Sequence, residues 1–125
     1  MDHRVELSDD GLMLIVIAEG NANVHGIISF INVIVDHPEW KKGNNILVDC
    51  RKLTTNDLSQ SKLQFISDHF RSVEKRLGDG KIALLMQREI DFGKARSWET
   101  MTEHAVKIQT NVFLDIERVK SWLDE

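Results

Sequence analysis

The stretch RVELSDDGLMLIVIAEG, residues 4–20, decides how the fold begins. Two extended segments are joined at Asp9-Asp10-Gly11, where glycine can adopt the positive φ that a tight hairpin turn requires. The second segment, Leu12 to Ala18, is nearly continuous in aliphatic residues, which is typical of a strand that is covered on both faces. The stretch therefore predicts an antiparallel hairpin in a sheet with helices on both sides.

A helix is predicted next, from Val24 to Asp36, because aliphatic residues recur there at helical spacing. Asn23 can cap this helix, and His37-Pro38 provides its end, since the residue before a proline is pushed out of helical geometry. The many isoleucines and valines of the segment also fit a strand. The segment is too long for an ordinary strand, so we favour the helix.

The middle of the chain predicts a short buried strand from Ile46 to Asp49, the loop KLTTND and a second helix. Ser59 can cap this helix and Gly78 can end it. Apolar residues at steps of three and four give it one core-facing side. They are Leu63, Ile66, Phe70, Val73 and Leu77.

The last third predicts two more strand and helix pairs. The strand KIALLM precedes a helix that Asp91 can cap, and the strand KIQTNVFL precedes a helix that Asp115 can cap. The inner residues expected for the first of these helices are Ala95, Trp98, Thr102, Ala105 and Val106, and those expected for the second are Ile116, Val119, Trp122 and Leu123.

The predicted order of elements is therefore β-β-α-β-α-β-α-β-α. This alternation indicates an α/β fold with a mixed five-stranded sheet flanked by four helices, antiparallel in the first hairpin and largely parallel afterwards. A chain of 125 residues has the usual size of one domain, and its 42% hydrophobic content suffices for one core. We expect a single domain over residues 1–125.

Charge and composition exclude several functions. The 16 Lys and Arg residues are scattered among 20 Asp and Glu residues, which gives a net charge of −4 and no basic stripe for nucleic acid. The longest apolar runs are too short to span a bilayer, and the first residues lack the pattern of a secretory signal. The single cysteine, Cys50, cannot form an internal disulfide. We therefore expect a cytoplasmic protein with no transmembrane segment and no nucleic-acid partner.

Motifs of the common enzyme classes are missing. The five histidines fall in five different elements without metal-ligand spacing, and no nucleophile elbow, dinucleotide fingerprint or P-loop is present. The tripeptide Asp-Phe-Gly at residues 91–93 stands without the other parts of a kinase. We expect no metal, no cofactor and no enzymatic activity.

The favoured site lies around Asp49, Arg51, Thr54, Thr55 and Ser59. Open α/β sheets usually bind ligands at the carboxyl ends of their strands, and Asp49 is placed at such an end. The alternative roles are structural: Asp49 pairs with Arg51, Ser59 caps its helix, and Cys50 is a small core residue or, less favoured, a nucleophile.

A second candidate site for an anion or a partner comprises Asp91, Gly93 and Arg96. Asp91 is expected to cap its helix, Gly93 to permit close approach of backbone or a partner, and Arg96 to hold an anion or pair with a carboxylate on its own surface.

Three segments together resemble the bacterial SpoIIAA-like proteins: HPEWKKGNNILVDCRKLTT (37–55), DFGKARSWETM (91–101) and VFLDIERVKSWL (112–123). This family is related in fold to the STAS domains of anti-sigma-factor antagonists and, more distantly, to SEC14-type lipid carriers. The resemblance implies a sheet flanked by helices and no established enzymatic activity. STAS antagonists carry a phosphorylatable serine in a turn with a glycine; the corresponding TTNDLSQS (54–61) lacks that glycine.

We therefore expect a non-enzymatic, STAS-like module that binds a protein partner through the Asp49–Thr55 loop and the start of the Ser59 helix. The alternative is a binder or carrier of a small apolar ligand or lipid. The aliphatic helix over residues 24–36 also predicts a homodimer, with Ile28 and Val35 on the surface that contacts the ligand or the second copy, or with the exposed sheet edge as the contact.

Overall fold

The computed structural model describes all 125 residues, Met1–Glu125. One sheet holds five strands in chain order; the first pair is antiparallel and the other pairs are parallel, as predicted. The elements are β1 (Asp2–Leu7), β2 (Met13–Asn21), α1 (Val24–Asp36), β3 (Asn45–Thr54), α2 (Gln60–Ser72), α3 (Glu74–Leu77), β4 (Lys81–Leu85), α4 (Glu89–Thr102), β5 (Gln109–Phe113) and α5 (Ile116–Leu123).

The handedness of the crossovers explains where the helices lie. Each parallel connection moves one strand further in the same direction, and such connections are almost always right-handed. As a result α1, α2 with the short α3, and α4 share one face of the sheet, where they bury the main core. The last helix, α5, lies on the other face against β4 and β5, with Val119 packed on Ala83 and Leu85.

The second face of β2 differs from the prediction. A helix does lie on that side of the sheet, but α5 packs against β4 and β5, not against β2. The aliphatic run of β2 is therefore covered by helices on one face only. Its alternate residues Ile15 and Ile17 keep partial exposure on the other face.

Helix α1 has the predicted bounds. The Asn23 side chain accepts a hydrogen bond from the Gly26 amide at 2.7 Å, and the helix ends before His37. The prediction that Val35 lies on an exposed surface is wrong: Val35 is 7% exposed and belongs to the main core. It follows Ile31 by four residues, so the buried stripe of the helix is wide enough to include it.

Ile28, the other residue of that predicted surface, is partly buried and packs against neither core cluster. The most exposed large apolar side chain of α1 is instead Val33, at 39%.

The helix predicted between Ser59 and Gly78 is split into α2 and α3, so the fold has five helices and not four. Val73 leaves helical geometry at φ −106° and ψ 10°. The loop after α1 takes up the carbonyls of α3: Trp40 Nε1 donates to the Arg76 oxygen at 2.8 Å, and the Gly43 amide donates to the Leu77 oxygen at 3.1 Å. Docking on this loop therefore sets the direction of α3.

Gly78 ends α3 with a φ of 86°, which favours glycine, and a Cβ there would meet the Gly43 nitrogen at 2.6 Å. Helix α4 ends at Thr102, so the prediction that Ala105 lies on its inner stripe is wrong. Ala105 is exposed beyond the helix end, whereas Val106 still packs against the core.

The two thirteen-residue helices α1 and α2 offer a matched test of capping. We expect Asn23→Ala to lower the free energy of unfolding by about 1 kcal/mol, because its cap bond is short. Ser59→Ala should cost less than about 0.5 kcal/mol, because the Ser59 Oγ lies 3.4 Å from the Lys62 nitrogen. Urea denaturation of both variants measures the difference. A larger loss for Ser59→Ala would contradict this assignment.

Candidate functional site

The carboxyl ends of β2, β3 and β4 meet at one edge of the sheet, where open α/β folds usually bind ligands. After β3 ends at Thr54, residues 55–59 form the edge loop that leads into α2. Polar side chains from the end of β2 and from the start of α4 converge on this loop. The arrangement makes the edge loop the best candidate site.

The buried carboxylate of Asp91 holds the loop to α4. Asp91 is 1% exposed, and its Oδ1 accepts hydrogen bonds from the Thr55 amide at 2.9 Å and from the Thr55 hydroxyl at 2.6 Å. Arg88 donates from Nε to Oδ2 at 2.7 Å. Burial works to raise the pKa of Asp91, but the hydrogen bonds from Arg88 and Thr55 outweigh it and lower that pKa. The carboxylate is therefore ionised and fully engaged in structure.

The prediction that Asp91 caps its own helix is wrong. Helix α4 begins at Glu89, with Arg88 at the cap position and no side-chain cap bond. Asp91 therefore lies inside the first turn, and its side chain satisfies the backbone of a distant loop. Arg88 gains from the same contact, since the hydrogen bond to Asp91 raises its pKa. The ion pair joins the cap residue Arg88 to Asp91, three positions later.

A second group of contacts ties the loop to β2. The Thr54 hydroxyl donates to Asn21 Oδ1 at 3.0 Å, and Asn21 Nδ2 donates to the Asp57 carboxylate. Within the loop, Leu58 is buried at 3% exposure, and Lys94 of α4 donates to its carbonyl oxygen. The loop is thus anchored at its beginning, its middle and its end.

Ser59 acts as the cap of α2, as predicted. Its hydroxyl accepts from the Lys62 amide and lies 3.2 Å from the Ser61 hydroxyl. Ser59 is exposed, together with Asn56, Asp57 and Gln60.

Asp49 and Arg51 lie away from the edge loop. Strand β3 continues five residues beyond Asp49, so the prediction that Asp49 ends the strand is wrong. A bulge adds one residue to β3 near this point, because Ile17 and Glu19 of β2 pair with Asp49 and Lys52. The Arg51 guanidinium bonds both Asp49 oxygens, at 3.0 and 2.8 Å, and lowers the pKa of that carboxyl. The structural alternative, an internal ion pair, is therefore confirmed.

Cys50 points to the opposite side of β3, into the main core. Burial raises the pKa of its thiol to about 12, and the charges of Asp49 and Asp91 act in the same direction. At neutral pH the thiol is protonated, which does not suit a nucleophile. The prediction of a small core residue is confirmed.

Gly93 and Arg96, the other two residues of the second candidate site, make no hydrogen bond with the Asp91 side chain. Gly93 is exposed, and nothing lies within 4 Å of a Cβ placed there, so the expected close approach is not found within the chain. Arg96 pairs with Glu99, with its Nη1 at 2.5 Å from Oε1. Arg96 therefore pairs with a carboxylate, which was the alternative to holding an anion. The partner, Glu99, is buried and does not lie on the surface.

Glu99 was missed by the sequence reasoning, although it follows Ala95 by four residues and so shares the inner side of α4. It is 3% exposed, and its Oε2 has no hydrogen-bond partner. Burial raises its pKa. Asn21, Arg88 and Lys94 were also missed; only Arg88, three residues before Asp91, had a local signal.

An apolar cavity of about 110 Å³ lies between the sheet and the helices on the core face. Of the 20 residues that line it, 18 are hydrophobic. Cys50 and Thr55 line it from β3 and the edge loop, and Trp98 lines it from α4, packed edge-on against Phe70 at 5.1 Å between ring centroids. The cavity therefore reaches the anchored loop from the inside.

The structure contains neither a cluster of metal-ligating side chains nor a membrane-spanning helix. No three His, Cys, Asp or Glu side chains come together as ligands for a metal ion. None of the helices combines the length and the apolar character that crossing a membrane would need.

Replacing Asp91 tests its structural role. Asp91→Ala should lower the free energy of unfolding by about 3 kcal/mol at neutral pH, because the buried Thr55 amide and hydroxyl lose their acceptor. Glu89→Ala, an exposed acid in the same helical turn, should change it by less than about 0.5 kcal/mol. Urea denaturation of the two variants gives both values.

The pH dependence of this loss has a definite sign. The pKa of Asp91 is lowered on folding, so its stabilisation is present above the unfolded pKa of about 3.9 and is lost as the pH falls through the folded pKa. The difference in free energy of unfolding between the wild type and Asp91→Ala should therefore become smaller in acid. Equal losses of unfolding free energy in Asp91→Ala and Glu89→Ala would contradict the structural role of Asp91. A difference between wild type and Asp91→Ala that does not change with pH would also contradict it.

Comparison with known proteins supports the fold. No protein-family model and no curated protein matches the chain. A solved structure does: an uncharacterized protein of the DUF3478 family with a SpoIIAA-like fold, from Shewanella loihica PV-4, with a TM-score of 0.60 and 16% identity. The match covers 98% of this chain and 92% of that one. The fold expected from the sequence resemblance is confirmed: the chain has a SpoIIAA-like α/β fold.

Proposed function

We propose that this chain is a non-enzymatic interaction module that binds a protein partner through the edge loop and the start of α2. The observation that carries the proposal is the anchoring of the loop by the buried Asp91 carboxylate. A loop that is already ordered loses little conformational entropy when a partner binds.

The surface of the edge loop suits a protein partner. Asn56, Asp57 and Gln60 are exposed and offer hydrogen-bonding groups. Two of the exposed large apolar side chains lie at the same edge: Ile90, at 59%, in the first turn of α4, and Leu114, at 45%, after β5. A few apolar anchors surrounded by polar groups are the usual composition of a protein interface.

The pairing of charges in the same region favours binding over catalysis. Asp91 and Arg88 neutralise each other within the structure, and the Cys50 thiol is protonated. The resemblance to STAS domains, which act as antagonists in protein complexes, points in the same direction. Asp49 and Arg51 lie outside the proposed surface.

A matched pair of substitutions tests the proposal, because Ile90 and Phe65 are both 59% exposed and lie on different helices. In pull-downs from a lysate of the source organism, Ile90→Asp and Gln60→Arg should each reduce recovery of the main partner about tenfold, as expected for a central contact. Phe65→Asp, on the outer side of α2, should retain it. Quantitative mass spectrometry measures the recovery.

The proposal fails if the wild type retrieves no partner, or if all three variants retrieve the same proteins in the same amounts. Circular dichroism of each variant separates a lost contact from a lost fold.

Binding of a compact apolar molecule is a second candidate, favoured by the cavity of about 110 Å³. An engineered cavity of about 150 Å³ in another protein binds benzene or xenon, so this cavity suits a guest of that size or smaller. A lipid tail is much larger. The cavity therefore favours a small apolar ligand over a SEC14-like lipid.

Benzene is a suitable probe for this candidate. It should raise the melting temperature of the wild type and leave that of Ala95→Leu unchanged, because the larger side chain fills space in the cavity that Ala95 lines. Ala105→Leu, at an exposed position, is the control and should respond like the wild type. Equal responses from all three proteins, or no response from the wild type, would remove the candidate.

A further inference from the structure

The wall of the apolar cavity is not uniform. Most of its lining residues belong to helices or strands, whose backbones are held by regular hydrogen bonds. The exceptions are Thr55 and Leu58, in the edge loop, and Met86, directly after β4. Met86 is held by the sheet, because its amide donates to the Phe113 oxygen at 2.8 Å. The edge loop is therefore the part of the wall that neither a helix nor the sheet holds in place.

The wall is thin at Leu58. This residue is 3% exposed and lines the cavity from the edge loop. Its neighbours Asn56, Asp57 and Ser59 are exposed to solvent. The Leu58 side chain therefore separates the cavity from water at this point.

Polar side chains mark the same end of the cavity. Only two of the lining residues are polar, Thr55 and Lys94. Lys94 reaches from α4 to the edge loop, where its Nζ donates to the Leu58 oxygen. A lysine can lay its apolar stem along apolar surface while its ammonium stays near water or polar groups. The Lys94 ammonium thus indicates the end of the cavity that lies nearest to solvent.

The edge loop is held more firmly on either side of Leu58 than at Leu58 itself. Thr55 donates twice to the buried Asp91 carboxylate, and Ser59 caps α2. The Leu58 amide donates to the Thr55 oxygen at 3.1 Å, within the same turn. Its carbonyl accepts from Lys94, and this is the hydrogen bond that joins Leu58 to another element. That bond depends on a long, flexible side chain.

We propose that the turn over residues 56–58 is the gate of the apolar cavity, and that small apolar molecules enter and leave where Leu58 meets Lys94. Opening breaks the bond from Lys94 to the Leu58 carbonyl and moves the Leu58 side chain out of the wall. Thr55 and Ser59 stay in place as the two ends of the gate. The gate rests on the second candidate function, the binding of a compact apolar molecule, and adds the route of entry.

The other bonds of the turn allow this movement. Asn56 accepts from Arg88 and Asp57 accepts from Asn21, and both contacts join exposed side chains. Water can replace such bonds at small net cost. Leu58 is the one buried residue of the turn, so opening exposes a single apolar side chain. Global unfolding exposes the whole core, so opening of the gate is the less costly event.

The remaining parts of the wall are less suited to opening. Ile27 and Leu84 also line the cavity and are partly exposed. Ile27 belongs to α1, and Leu84 belongs to β4, which pairs with a strand on each side. An entrance there would require a whole helix or an inner strand to move.

Cys50 reports on the gate, because it is the single cysteine of the chain and lines the same cavity. Burial raises the pKa of its thiol to about 12, so in the closed state it reacts slowly with thiol reagents. Opening admits water and reagent together. Labelling of native Cys50 by methyl methanethiosulfonate, followed by mass spectrometry, therefore measures opening and requires no affinity for a guest.

A urea series separates local opening from global unfolding. Labelling of the wild type should change little at low urea, because opening exposes little surface, and should rise steeply where the whole chain unfolds. Leu58→Ala should speed labelling without urea at least about tenfold, because it removes most of the side chain that closes the wall.

Leu77→Ala is the matched control. Leu77 is 1% exposed and also lines the cavity, but it lies at the end of α3 and not in the edge loop. This variant should speed labelling only as far as its lower free energy of unfolding explains, which urea denaturation measures separately.

Lys94→Met tests the gate through its hydrogen bond. The substitution keeps an unbranched apolar side chain and removes the bond to the Leu58 oxygen. Labelling should become at least about threefold faster, the effect of losing one ordinary hydrogen bond. Lys107→Met, at an exposed position outside the cavity wall, should label like the wild type.

The gate is refuted if labelling of the wild type follows global unfolding at every urea concentration. It is also refuted if Leu58→Ala exceeds its own loss of stability no more than Leu77→Ala does, or if Lys94→Met labels at the rate of Lys107→Met. Failure of benzene to raise the melting temperature would remove the ligand candidate and leave these labelling rates as they are, so the two failures are distinguishable.

Discussion

The buried Asp91 carboxylate is the interaction on which the candidate site depends. Thr55 is 4% exposed, and its amide and hydroxyl both donate to Asp91. Without an acceptor these two donors would be buried and unsatisfied, which is costly in a protein interior. Arg88 supplies the charge that makes burial of the carboxylate tolerable. Thr55 belongs to the edge loop and also lines the cavity. The positions of both therefore depend on its contact with Asp91.

The direction of the crossovers explains the rest of the molecule. Three right-handed connections that advance in one direction place α1, α2 with α3, and α4 on one face, and only α5 is left for the other. The cavity belongs to the face on which α1, α2, α3 and α4 pack. The shortage of helices on the other face leaves Ile15 and Ile17 of β2 partly exposed.

Local patterns predicted most of the fold because helices and strands follow from spacing and capping. Asn23, Ser59 and Asp115 cap their helices as predicted. The failures arise where tertiary contacts decide. Asp91 bonds a residue 36 positions away, and the bulge in β3 depends on its pairing with β2. Thr54, Thr55 and Ser59 could be assigned to the site because they follow a predicted strand in the sequence. Asn21 and Lys94 are distant in sequence and contact this region only in the folded chain, so no local pattern indicates them.

Amide hydrogen exchange of Thr55, measured by NMR on the wild-type protein, tests the anchoring of the edge loop most directly. The Thr55 amide donates to a buried carboxylate, whereas the neighbouring Asn56 is exposed and its amide has no hydrogen-bond partner within the chain. We predict that the Thr55 amide exchanges as slowly as the buried amides of β3, while that of Asn56 exchanges rapidly. Exchange of Thr55 at the rate of Asn56 would contradict the anchored loop and the binding surface built on it.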